Sequence, residues 1–366
     1  MRRLTLFHRP RRDDGGAIAA TVAVVLGVGV LLGVGAVVID VGRLYAEREQ
    51  LQSGADAAAW AVAEVCAVTP AQCAGQTGTA GRYANTNAAD GATKVTAICG
   101  TGTGLAPCPA NPTNRTGCLG TAPQDARYAE VRVETKLADG STVLPSVFAR
   151  ALAGGEPGTT VGGCARVAWG PPRVAQGFAV TFSLCEWDNL TGGGATLWSA
   201  TGIPPASAER VVKLHDSQGN PVCPAGPAGW DQPGGFGWLD DPTASCTAIV
   251  QADGTFEGDT GNSASHPCKD ALQAARQARN MVLIPVYDYV RGQGANTEYH
   301  LVGFAPFVLT GYLLSGFSAP SWLTNVHHCS GQERCLYGYF VRGLVQATGS
   351  QIGGPDLGAA VVNLVG

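Results

Sequence analysis

The side chains in this sequence that could do chemistry are few and scattered. The tightest group is His327-His328-Cys329, with His266 and His300 elsewhere in the chain. Imidazole and thiolate are metal ligands, and a thiolate beside an imidazole is an activated nucleophile. Two points oppose both uses. Neighbouring residues on an extended strand face opposite ways, and Cys335 is close enough along the chain to draw Cys329 into a disulfide, whose sulfur cannot attack. Asp240-Asp241 follows a glycine-rich turn, but two carboxylates fall short of the roughly 6–8 oxygens that calcium takes. Glu130 and Glu134 share a face of an alternating segment and are expected on its solvent side. Trp187, Trp198, Trp230, Trp238 and Trp322 could stack on a glycan, or plug a thin core instead. No GxGxxG, GxxxxGK[ST], GxSxG or HExxH pattern occurs. The chain is therefore expected not to be an enzyme, with no catalytic residue, metal site or cofactor assigned.

The cysteines are informative by position. All 12 lie beyond residue 65: Cys66, Cys73, Cys99, Cys108, Cys118, Cys164, Cys185, Cys223, Cys246, Cys268, Cys329 and Cys335. An even count without any CxxC pair fits a disulfide framework, which persists in an oxidising compartment. Cys66 with Cys73 and Cys329 with Cys335 are expected as local bridges, and Cys99, Cys108 and Cys118 are expected to tie down a loop; the remaining connectivity stays open. The net charge of −4 excludes the basic stripe of a nucleic-acid binder. Glycine is about twice its usual share and charged residues are few, so turns are many and the core is thin.

The element that must position all this is at the N-terminus. GAIAATVAVVLGVGVLLGVGAVVI, residues 16–39, carries no charge. As a helix it is about 36 Å long at ~1.5 Å per residue, enough to cross a hydrocarbon core of ~30 Å with some tilt. Arg2, Arg3, Arg9, Arg11 and Arg12 precede it, whereas Arg43 and Arg48 after it are balanced by Asp40, Glu47 and Glu49. That bias places the N-terminus in the cytoplasm and the remainder outside, as a single-pass protein of the bacterial cytoplasmic membrane. Gly29 and Gly33 form a small-xxx-small pair that lets a second helix approach in lipid. Past the span, Leu44, Leu51, Ala55, Ala58 and Val62 follow helical spacing along one face, which would bury against a sheet or a partner helix.

Five sections are expected: a basic tip (1–15), a transmembrane helix (16–39), a helical stalk (40–66), a first exocytoplasmic region (67–170) and a second, β-rich one (171–366). The first region has a short strand at 93–99 and then a strand–helix–strand unit: 126–138, LPSVFARALAG at 144–154, and 160–170. Pro171-Pro172 breaks the pattern. In the second, strands are expected at 177–187, 208–216, 281–290, 298–314 and 335–347, one helix at 269–280, and a closing strand in the final residues. The fold class is α+β: a transmembrane helix continuing into a stalk, then a disulfide-rich, mainly antiparallel β region built as a sandwich or partly closed barrel.

Residues 16–66 resemble the N-terminal segment of TadE/TadG-like proteins of Flp (tight-adherence) pilus assembly. The residues that carry the resemblance are Gly16-Ala17-Ile18-Ala19, IDVGRLYAEREQLQ at 39–52 and ADAAAWAVAE at 55–64. The Cys-rich remainder, with Cys185-Glu186-Trp187 and CLYGYF at 335–340, is similar to actinobacterial TadG-related proteins. The resemblance implies a membrane-anchored structural or accessory role, with pilus-assembly partners met through the span and stalk. Thr21 stands where processed prepilin-type members carry Glu, which implies an anchor retained in the membrane. No Asp-x-Ser-x-Ser motif is present, so the metal site of some TadG proteins is not carried over. The alternative expectation is a membrane-anchored binding module, an adhesin or a cell-wall glycan binder, unrelated to pili.

Overall fold

The computed structural model describes residues 15–110, 118, 120–148, 158–214, 223, 236–241, 244–259, 266–292, 296–345 and 351–366. Its first element, α1 (Gly15–Val68), is one unbroken helix. It lacks proline throughout, and Pro70 sits just beyond its last turn, where the missing N–H and fixed φ prevent continuation. It is the one helix among the described residues long and apolar enough to cross a membrane, and none of its most apolar window is buried.

A short helix, α2 (Thr77–Thr86), packs back on α1. Its Thr-, Gly- and Asn-rich sequence has weak helix propensity and reads as loop; the contact decides it. Gly54 on α1 makes the approach possible, since a Cβ there would stand 3.0 Å from the Ala84 carbonyl oxygen. Three antiparallel strands follow: β1 (Thr93–Gly100), β2 (Arg127–Thr135) and β3 (Gly162–Gly170). Ala129, Val131 and Val133 of β2 and Ala165 and Val167 of β3 face α1 and α2, forming one core with Leu51, Ala55, Ala58, Ala59 and Val62.

Beyond Pro171 come β4 (Val174–Phe178), β5 (Val180–Ser183), α3 (Leu184–Thr191), β6 (Trp198–Ser199), β7 (Arg210–Lys213), β8 (Phe236–Trp238), β9 (Thr247–Gln251) and β10 (Gly254–Glu257). The chain continues with α4 (His266–Ala278), β11 (Met281–Arg291), β12 (Glu298–Leu314), β13 (Phe317–Ala319), β14 (Cys335–Leu344) and β15 (Ala359–Leu364). Most of these strands join one mixed, mainly antiparallel sheet with the path β1-β2-β3-β15-β14-β12-β11-β5-β8, while β4 and β9 pair separately. The C-terminal strand β15 lies between β3 and β14, so the sheet runs across Pro171 without a break. A second core lies around β11, β12 and β14, where Phe182, Phe307 and Phe340 meet edge to face.

Three expectations need correction. The segment 177–187 is not one strand: β4 ends at Phe178, β5 spans only Val180–Ser183, and the chain continues as α3, which seats Trp187 in the core with Glu186 also buried. Leu144–Phe148 is not helical, because Leu144 bridges Thr159 in both directions; the rest of the 144–154 segment lies outside the described residues. Glu130 does not face solvent. Its side chain is 1% exposed, and it receives Arg132 at 2.6 Å and Arg166 at 2.7 Å. Arg166 lies directly opposite on β3, and the Cys118–Cys164 disulfide on the same strand draws the preceding chain over this face. Glu134, four positions on, is partly exposed and pairs with Lys94. Removing Glu130 would leave the buried Arg166 guanidinium uncompensated, at a cost of about 3–5 kcal/mol. Glu130→Ala should therefore lower the thermal midpoint of the purified chain by several degrees, a shift that Glu134→Ala should not approach.

Candidate functional site

The residue types that distinguish α1 between positions 40 and 62 are those that fasten it to the rest of the chain. Gln52 is the clearest case. On β3, Cys164 turns its N–H and C=O away from β2, and β15 with its trailing residues reaches only as far as Arg166, through Gly366 and Val365. The Gln52 side chain fills the gap: its Nε2 donates to the Cys164 carbonyl at 2.8 Å and its Oε1 accepts the Cys164 N–H at 3.4 Å. One amide replaces the strand partner that the sheet lacks there, as buried backbone polar groups require. Asp56 takes the other Nε2 hydrogen at 2.9 Å and fixes the amide's orientation. Two residues back, Gln50 Oε1 accepts the Ala89 N–H at 2.8 Å, just past the end of α2.

Between these amides Leu51 is buried, and the helix backbone comes down on Gly163, where a Cβ would stand 2.8 Å from Leu51 carbonyl atoms. Ala55, Ala58, Ala59 and Val62 continue the contact and are fully buried. The stalk face foreseen as open to a sheet or a partner helix is thus occupied by this chain's own sheet from Leu51 onward. Leu44 is half-buried, beside a groove of about 450 Å³ lined by Val41, Tyr45, Arg48 and Thr159–Gly162. Gly33, on the span, has nothing within 4 Å of where its Cβ would lie. At the base of the stalk Asp40 is 8% exposed and accepts the backbone N–H groups of Val147 and Phe148. A little higher, burial holds the Glu47 carboxyl above the usual range despite a hydrogen bond from Thr135.

Among the described residues, the histidines and carboxylates singled out for chemistry do not converge. Cys329 is joined to Cys335. His300 on β12 pairs with Asp288 at 2.6 Å and stacks on Tyr289. His327 is exposed, and the His266 side chain lies outside the described residues. Asp241 accepts the Cys246 N–H and shapes the turn that enters β9, while Asp240 is exposed. The groups of three potential metal ligands among the described residues are Cys99/Cys108/Glu130 and Cys118/Glu130/Cys164, and in both the sulfurs already form a disulfide. Trp187 and Trp238 are core residues, Trp322 is half-buried with its Nε1 donating to the Leu309 carbonyl, Trp198 is exposed on β6, and Trp230 lies outside the described residues. Among the described residues the other four make no common surface.

His328 instead belongs to a cluster that no spacing announced. Glu209, its side chain 2% exposed, gathers Thr310 and Ser321 on one oxygen and Thr324 (2.8 Å) and His328 (2.6 Å) on the other. The same 320–328 loop is held by Arg276 of α4, which donates to the Thr310 and Pro320 carbonyls, and by Arg279 lying over the Trp322 ring. Burial works to raise the Glu209 carboxyl, but the donations from Ser321, Thr310, Thr324 and His328 outweigh it and the net displacement is downward. A carboxyl whose folded pKa lies below its unfolded one adds stability above the unfolded value, and that stability fades as pH falls through the folded one.

All twelve cysteines are paired: Cys66–Cys73, Cys99–Cys108, Cys118–Cys164, Cys185–Cys223, Cys246–Cys268 and Cys329–Cys335. Cys66–Cys73 closes the end of α1, and Cys246–Cys268 joins β9's entry to α4.

The arrangement defines a class: a long apolar helix whose second half is built into a disulfide-linked, mainly antiparallel sheet. Within it, residues 16–65 match the family model described as putative Flp pilus-assembly TadE/G-like. The match ends one residue before the first cysteine and covers Asp40, Gln50, Gln52 and Asp56, the polar anchors described above. No curated protein and no solved structure matches the chain.

Two measurements follow. Gln52→Ala leaves the Cys164 N–H and C=O without partners, each worth about 1–3 kcal/mol. It should lower the melting temperature and speed amide exchange at Cys164 and its neighbours, while leaving exchange in β12 unaltered. For Glu209→Gln, the fall in stability of the parent chain on acidification below about pH 4.5 should become shallower, with lower stability than the parent at neutral pH. Parallel pH–stability curves for parent and variant would contradict the role given to Glu209.

Proposed function

We propose that this chain is a non-catalytic accessory protein of Flp/Tad-type pilus assembly, anchored by a single span at 16–39 with its N-terminus in the cytoplasm. The stalk at 40–66 and two head sections, 67–170 and 171–366, lie outside the membrane. The observation that carries the reading is the coincidence of the family match with the residues that weld α1 to the sheet. What the family-like segment does in this molecule is hold a head at a fixed place above a membrane. The arginine bias before the span and the six disulfides beyond it support the orientation. Since the stalk from Leu51 onward is covered by its own sheet, pilus-assembly partners would be met by the span, with Gly29 and Gly33 as the close-approach positions, and by the exposed surface around Leu44. Membrane lipid is the other partner, and no nucleic acid is expected.

In-frame deletion in the producing bacterium should remove surface pilus fibres, and the wild-type gene should restore them. Gly33→Leu should restore anchoring and abundance without restoring fibres, since it blocks helix approach and leaves the head intact. Normal fibres and adhesion in the deletion strain would remove the pilus role altogether. Protease added to intact cells should cut the head, and a head protected in cells with permeable walls would reverse the topology.

A further inference from the structure

Asp40 is the first charged residue after the apolar run, and it lies where a helix crossing the bilayer leaves the hydrocarbon. The run gives about 36 Å of helix against a core of ~30 Å, so its last turn lies in the boundary between acyl chains and headgroups. A carboxylate at that depth is poorly hydrated and faces lipid phosphates, and needs compensation from protein groups. It has that compensation. Its Oδ1 accepts the Val147 N–H at 3.0 Å and its Oδ2 accepts the Phe148 N–H at 2.9 Å. These bonds are made across more than 100 residues of sequence, and they bring one short segment to the base of the stalk.

That segment is held from its other side as well. Leu144 and Thr159 exchange backbone hydrogen bonds at 2.9 and 3.1 Å. Gly158 permits the crossing, because with φ +144° it passes where a Cβ would strike the Leu144 carbonyl oxygen. So fixed, the segment keeps its polar backbone inward and leaves apolar side chains out: Val143 is 40% exposed, Val147 51% and Phe148 43%. Tyr45, one and a half turns above Asp40, is 70% exposed. Exposed apolar side chains held at the end of a span, with an exposed tyrosine further along the same helix, match the composition of protein surface at a bilayer boundary.

We propose that Val143–Phe148 is a membrane foot: Asp40 clamps it to the stalk base so that Val147 and Phe148 enter the headgroup–acyl boundary of the leaflet next to the head. The foot gives the head a second point of contact with the bilayer and limits its rocking about the span. The proposal rests on the reading of 16–39 as a transmembrane helix, and continuity with that span is the reason for choosing lipid as the occupant.

The test uses the full chain in phospholipid nanodiscs, with the photo-crosslinking amino acid p-benzoylphenylalanine placed singly at position 148, at 30 in the span, or at 249, an exposed site on β9. After irradiation, lipid adducts are counted by mass spectrometry. Position 148 should give adducts at a level near that of position 30 and at least about tenfold above position 249. Adding Asp40→Ala should lower the yield at 148 by roughly fivefold while the yield at 30 stays constant, because the two backbone bonds that hold the foot are gone. Position 148 reacting no more than 249, or reacting with polypeptide in place of lipid, overturns the foot. An unchanged yield at 148 in Asp40→Ala overturns the clamp. Failure of position 30 to take lipid would instead overturn the transmembrane reading beneath the proposal, and so is told apart from failure of the foot alone.

Discussion

Most of this structure depends on how closely α1 can approach the sheet. Helix and strand backbones meet within van der Waals range at Leu51 and Gly163, and only a glycine on β3 permits it. The small side chains that follow, Ala55, Ala58 and Ala59, keep the helix close along its length. Small residues bury little apolar area each, so area alone would make a weak joint. The joint is strengthened by hydrogen bonds that a wider interface could not reach, above all the paired contacts of Gln52 with Cys164. Closeness and polar fastening therefore depend on each other. A larger residue at 163 would lift the helix and break the amide pairing along with the packing.

Because α1 is unbroken from Gly15 to Val68, that joint has a mechanical consequence. The span and the element docked on the sheet are the same helix, with no linker of glycine and serine between them to absorb motion. A displacement of the head is passed to the span through continuous i to i−4 hydrogen bonds. The sheet spreads the load further. β15, from the end of the chain, lies beside β3 and β14, so the strands packed on α1 and the larger β core move together. The disulfides fall at the ends of elements, closing the terminus of α1 at Cys66–Cys73 and the turn into β14 at Cys329–Cys335. Those are the places where a glycine-rich chain with a thin core would open first.

How much of this was legible in the sequence depended on whether the deciding contact was local. The span, the strand Glu298–Leu314 and the helix around residues 269–278 are declared by runs and periodicities of their own. Two of the six disulfides are short enough in sequence to be named in advance. By contrast, α2 carries a loop-like composition and is helical because Ala80 and Ala84 find α1. Glu130 looks like a solvent-face carboxylate until the residue opposite it on β3 is known to be Arg166. Glu209 could not be singled out at all, since its four partners lie 101 to 119 positions away. One signal is present in the sequence itself: Gln50 and Gln52 flank a leucine that packs in the core, and amides in such a place ask for backbone partners.

The same distinction applies within residues 16–65, the segment that the family model matches. In α1 each identity meets a geometric demand that few residues satisfy: a glycine where Ala84 crosses, an amide long enough to serve both Cys164 groups, a short carboxylate at the foot of the stalk. Around β5, β12 and β14 the demands are looser: Phe182, Phe307 and Phe340 pack edge to face, and apolar packing tolerates many substitutions of similar volume. The tightest backbone approaches made by α1, at Gly54 and at Gly163, thus involve the helix that the family model matches.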